Sequence, residues 1–107
     1  MTSRVMRVIV FFDLPVKTAE GKRAYLNFRK FLINDGFFMM QESVYCKLAI
    51  NGTSANALQE HIKRNSPPIG LIQVLTVTEK QYSNMLYLGG TSKKTDIVDS
   101  SDRFIVI

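Results

Sequence analysis

The segment from Arg4 to Leu14 constrains the fold more than any other part of the chain. Met6, Val8, Val10 and Phe12 alternate with Val5, Arg7, Ile9, Phe11 and Asp13, and both sets are apolar in the middle. A strand with two apolar faces must be covered on both sides, so it belongs in the interior of a sheet. Pro15 ends it, because proline brings no N–H to a strand ladder. Thr18 then suits a helix N-cap. Ala24, Tyr25, Phe28, Phe31 and Leu32 fall on one helical face behind it, and Asn34-Asp35-Gly36 is a stop, with Gly36 the left-handed cap.

The period then returns to two. Gly36 to Ile50 is extended, with Val44, Cys46, Leu48 and Ile50 opposite Tyr45, Lys47 and Ala49, and Gln41-Glu42-Ser43 divides it into two strands. Asn51-Gly52 breaks the run. Ser54 to Asn65 is a second helix, with Ala55, Leu58 and Ile62 inward; Pro67-Pro68 ends it, and Ile69 to Val77 is a fourth strand, apolar on both sides. The order β-α-β-β-α-β predicts an α+β, ferredoxin-like sandwich, two helices on one face of a four-stranded antiparallel sheet. Thr78-Glu79-Lys80-Gln81 fits a capping box opening a short C-terminal helix to about Leu88, stopped by Gly89-Gly90. A polar stretch, 91–102, leads to Arg103-Phe104-Ile105-Val106-Ile107, an extra C-terminal strand that adds to a sheet edge of this chain or of a neighbour. The chain therefore reads as a single domain over 1–107, with its core at about 4–77 and a C-terminal appendix at 78–107.

A chain of 107 residues, 46% hydrophobic and 21% charged, holds one core and is not disordered. No apolar run is long enough for a membrane span, and no secretory h-region precedes Asp13, so the expected compartment is the cytoplasm. One cysteine, Cys46, excludes an internal disulfide, and with only one histidine, His61, a Cys/His zinc site has too few ligands. The net charge is +5. Residues 1–77 hold ten Lys or Arg against five Asp or Glu, and residues 78–107 hold four of each, so the excess lies in the sandwich. Lys22, Arg23, Arg29 and Lys30 cluster in the first helix, and Lys63 and Arg64 in the second; such clusters suit a polyanion and equally suit a solvated helix face.

Asp13 is the residue with most chemical promise. A carboxylate ending an apolar strand is either a turn-capping Asp before proline or a ligand for magnesium, which binds through one or two carboxylates plus water and phosphate. One Asp per chain is a thin site; a twofold axis would bring two. His61 has no Ser or Cys at triad spacing, and Cys46 on an apolar strand face reads as core. Gly89 to Lys94 lacks the spacing of a phosphate loop, and Phe37-Phe38-Met39-Met40 reads as core or interface.

Val8-Ile9-Val10-Phe11-Phe12-Asp13-Leu14-Pro15 resembles the first-strand signature of the CRISPR-associated Cas-two family, the small protein of spacer acquisition. Tyr25 to Lys30 with Asp35-Gly36-Phe37 resembles its first helix and turn, Gln41-Glu42-Ser43-Val44-Tyr45 its second and third strands, and Val74 to Gln81 the end of its fourth strand in the branch accompanying the single-protein RNA-guided effector nuclease. The resemblance spans about residues 6–88. It implies a homodimer that bridges dimers of the Cas-one integrase and holds double-stranded DNA for insertion into the repeat array. It also implies a magnesium-dependent endonuclease, on RNA or DNA, centred on the aspartate matched by Asp13. The chain departs from many members at Phe12, where they carry Tyr, which on this reading removes a hydroxyl beside the metal; Arg23 is the nearest match to an arginine early in the first helix. The expectation is a DNA-holding scaffold first and a nuclease second. Lys22, Arg23, Arg29, Lys30, Lys63 and Arg64 are its phosphate contacts, and Asp13 is its metal ligand.

Overall fold

The structure is a computed structural model and describes residues 4–89. The elements are β1 (Met6–Asp13), α1 (Ala19–Asn34), β2 (Phe38–Gln41), β3 (Val44–Ala49), α2 (Gly52–Asn65), β4 (Leu71–Thr78) and α3 (Glu79–Ser83). The strands form one antiparallel sheet in the order β2-β3-β1-β4, which is the ferredoxin-like arrangement the alternation predicts. β1 lies inside the sheet, bonded to β3 and β4, as its two apolar faces require.

The core sits between one sheet face and the two long helices. Val8, Val10 and Phe12 of β1 meet Phe28 and Leu32 of α1, Tyr45 and Ala49 of β3, and Ala55 and Ile62 of α2. Phe12 is the centre of an aromatic cluster, edge-on to Phe28 at 5.1 Å and stacked on Tyr45 at 5.7 Å between ring centroids. Such pairs add to the stabilisation from burial, by about 0.5–1.5 kcal/mol each.

Local signals account for most of the element ends. Thr18 caps α1, accepting from the Gly21 N–H at 2.9 Å, and Gly36 takes φ +96° directly after the Asp35 C-cap. Asn51 does not merely interrupt the chain: its Oδ1 accepts from the Ser54 N–H at 2.8 Å, so the second helix starts at Gly52, two residues before Ser54. The capping box of Thr78 and Gln81 is closed in both directions. The helix behind it, however, ends at Ser83 and not near Leu88. The Ser83 hydroxyl turns back onto the Glu79 carbonyl, the Asn84 N–H is shared between the Lys80 and Gln81 carbonyls, and the Met85 N–H bonds to the Tyr82 carbonyl, which tightens and terminates the turn. Gly89 therefore follows the stop and does not make it. The 91–102 stretch and the strand expected at Arg103–Ile107 lie outside the described residues.

The other sheet face is covered differently. Ile9 and Cys46 are buried there, but Leu71 and Leu75 of β4 are 56% and 50% exposed, and Phe38 and Leu48 are nearly as open. Among the described residues no long helix lies over them, and α3 reaches the end of β1 near Arg7.

Candidate metal centre and nucleic-acid interface

Asp13 is the last residue of β1, paired in register with Leu71 of β4, and its side chain is exposed. It opens into a shallow cleft of about 180 Å³ with Phe11, Phe12, Ser43, Val44, Leu71 and Gln73. Two backbone approaches hold this corner. Gly21, buried in the first turn of α1, lies so close to the loop after β1 that a Cβ there would stand 1.4 Å from the Pro15 carbonyl oxygen. Gly70, at φ +77°, lets β4 begin beside Asp13; a Cβ on it would stand 2.6 Å from the Asp13 carbonyl oxygen. Ser43 takes φ +66° between β2 and β3, and its carbonyl accepts the Phe12 N–H at 3.1 Å. A positive φ at a residue with a Cβ is uncommon and is held here by the hairpin around it. The sequence motifs point to Ser43 but not to Gly21 or Gly70. The signals available for those two are a glycine inside a first helical turn and one directly before a strand.

The cleft is lined mostly by apolar surface, and its residues with oxygen-bearing side chains are Asp13, Ser43 and Gln73. That set suits magnesium and not zinc. Within one chain it contains a single carboxylate, and among the described residues no group of three or more His, Cys, Asp or Glu gathers anywhere.

Phe12 lines the cleft at Asp13, while its ring packs in the core. Successive strand residues point to opposite faces, and the Phe12 ring is 4% exposed among Tyr25, Phe28 and Tyr45.

At the opposite end of β1 on the same face, Arg7 is fully engaged. Its Nε and Nη2 donate to the two Glu79 carboxylate oxygens at 2.6 and 3.2 Å, its Nη1 points to Cys46 Sγ at 3.9 Å, and the guanidinium lies 4.2 Å from the Tyr82 ring centre. These bonds raise the Arg7 pKa further and hold the Glu79 carboxyl below its ordinary value. Burial pushes the Cys46 thiol up, which keeps it protonated and unreactive.

The six expected phosphate contacts are all exposed. Lys22, Arg23, Arg29 and Lys30 stand on α1, and Lys63 and Arg64 in the last turn of α2, where cations also suit the helix dipole. Arg23 and Lys30 share one row of α1, with Lys22 and Arg29 in the next. None of the six forms an ion pair among the described residues. His61 sits apart from any nucleophile: its Nε2 is 3.5 Å from Asp35 Oδ1 and its ring 5.1 Å from Phe31, so it ties α2 to the end of α1. Of the run after Gly36, Phe37 is core while Phe38 and Met39 are exposed.

The chain thus presents cations on its helical side and an apolar sheet ending in a carboxylate on the other. A sequence-family model, CRISPR associated protein Cas2, matches residues 6–85. The chain is 51% identical over 102 residues to a CRISPR-associated endoribonuclease Cas2 of Treponema denticola, covering 95% of this chain and 100% of that one. It is 46% identical to a protein of the same description from Streptococcus mutans, covering 95% and 93%, and 43% identical to one from Lacticaseibacillus rhamnosus, covering 95% and 100%. The chain belongs to the CRISPR-associated Cas2 family.

Proposed function

We propose that this protein is a homodimeric scaffold of CRISPR adaptation, which bridges integrase dimers and holds double-stranded DNA for insertion into the repeat array. The observation that carries this reading is the division of the molecule into two unlike sides. Leu71, Leu75, Phe38 and Leu48 leave the sheet face apolar and open among the described residues, and a second copy packed on it in twofold symmetry would bury them. The cations of α1 and α2, which form no ion pair among the described residues, stay outward on the other side, where they face phosphates. Asp13 then comes near the axis as a conditional magnesium ligand. Two carboxylates brought together repel unless a cation lies between them.

A second reading is a magnesium-dependent endonuclease centred on Asp13, which the name endoribonuclease carried by the relatives favours. One experiment separates the two. Asp13→Asn is expected to leave integration by the assembled complex largely intact. Charge reversal of Arg23 and Lys30 together is expected to weaken duplex binding and to flatten the log–log salt slope by about 0.9 for each phosphate no longer neutralised. Metal-dependent turnover at enzymatic rates, abolished together with integration in Asp13→Asn, would establish the nuclease instead.

A further inference from the structure

We propose that the groove between α1 and α2 receives one unpaired base of a single-stranded DNA segment, whose phosphates run along the Arg23 and Lys30 row. This rests on the nucleic-acid reading above and adds to it a site for a base. The groove measures about 410 Å³, within the range of small-ligand clefts. Its floor is the buried Phe28, and one wall is the half-buried Phe31 ring, stacked on Phe28 with 6.0 Å between centroids. Two side-chain amides line it. Asn27 has no hydrogen-bond partner among the described residues, and Asn65 donates through Nδ2 to the His61 carbonyl at 2.9 Å, which leaves its Oδ1 to accept. An aromatic wall beside amide donors and acceptors is the equipment that stacks a splayed base and reads its edge.

Charge selects the occupant. Arg23 lines the groove, Lys30 continues its row, and Lys63 and Arg64 precede Asn65 at the end of α2. Glu20 lies on the same rim. Its carboxylate disfavours an anion in the groove itself but accepts from the exocyclic amine of a base. Phosphates outside and a base inside satisfy both signs, whereas an acidic peptide does not, and a paired duplex reaches the cation row but has no free base for the groove.

The test uses the full-length protein and three DNA probes sharing one duplex. One is blunt, one carries a single-stranded tail containing 2-aminopurine, and one carries an abasic tail of the same length and charge. The expected result is affinity for the base-bearing tail about tenfold above the abasic tail, with the 2-aminopurine fluorescence quenched on binding. Asn27→Ala, at an exposed helical position where alanine is well tolerated, is expected to abolish that advantage while blunt-duplex affinity is unchanged. Phe31→Leu is expected to abolish the quenching. Equal affinity for the two tails, an unaffected Asn27→Ala, or free dAMP competing as well as the tailed strand would each overturn the proposal. Loss of blunt-duplex binding alone, with the tail still bound, would defeat the scaffold reading and leave this site standing.

Discussion

The two ends of β1 on the uncovered sheet face are held by different physics. At the Arg7 end a charged side chain is enclosed by its partners, with a two-pronged ion pair to Glu79, a ring contact to Tyr82 and a thiol beneath. At the Asp13 end the charged side chain is exposed, and the order comes from the backbone, through close approaches that only Gly21 and Gly70 permit. The first end spends its charge on holding α3 to the sheet. The second keeps its charge available, and that is what a ligand site requires. A polar group that is fully satisfied inside the chain has nothing left to offer outside it.

The largest effect is expected where the Asp13 end is tested. Gly21→Ala places a methyl 1.4 Å from a backbone oxygen, which no side-chain rotation can relieve. Either α1 or the loop after β1 has to move, and denaturant unfolding should show a loss of about 3 kcal/mol or more. A variant as stable as wild type would mean that this corner is not held by backbone contact. Arg7→Met tests the other end and should do less harm. Methionine retains much of the buried stem but forfeits the guanidinium's ring contact and hydrogen bonds, so a loss of about 1–2 kcal/mol is expected by the same measurement. If Arg7→Met proved the costlier of the two, the contrast between the ends would be reversed.

The same contrast explains what is legible in the sequence. The strands, the two long helices and the capping box can be read because their signals are local: a period of two or 3.6, a cap, a proline. Asp13 is legible as a carboxylate closing an apolar strand. The Arg7 network is not, because Glu79 lies seventy-two positions away, and nothing in a sequence says that a five-residue helix will fold back over the strand next to it. The closeness of Gly21 to Pro15 and of Gly70 to Asp13 is likewise a tertiary fact, since a glycine in a sequence does not say which neighbour needs the room. The end of α3 misleads because the Gly89-Gly90 pair is the louder signal, while Asn84 and the Ser83 hydroxyl stop the helix first.

The smallest expected effect belongs to pH and isolates the charge at the Arg7 end. The Arg7 hydrogen bonds hold the Glu79 carboxyl below its ordinary value of 4.5, so the unfolded chain takes up this proton at a higher pH than the folded one. The stabilisation from the pair is therefore complete above the ordinary glutamate range and is lost as the pH falls through the lower, folded value. Arg7 stays charged throughout, so the carboxylate alone titrates. Glu79→Gln has no proton to take up. Its stability should fall below that of wild type at neutral pH, and the gap should close as both are acidified. Because Glu79 is 40% exposed, the gap should be small and should shrink with added salt. Urea unfolding from the acid range to neutrality, at low and high ionic strength, gives the two curves. If they ran parallel at every pH, α3 would be held to the sheet by its contacts alone, and the difference between the two ends of β1 would be one of coverage and not of charge.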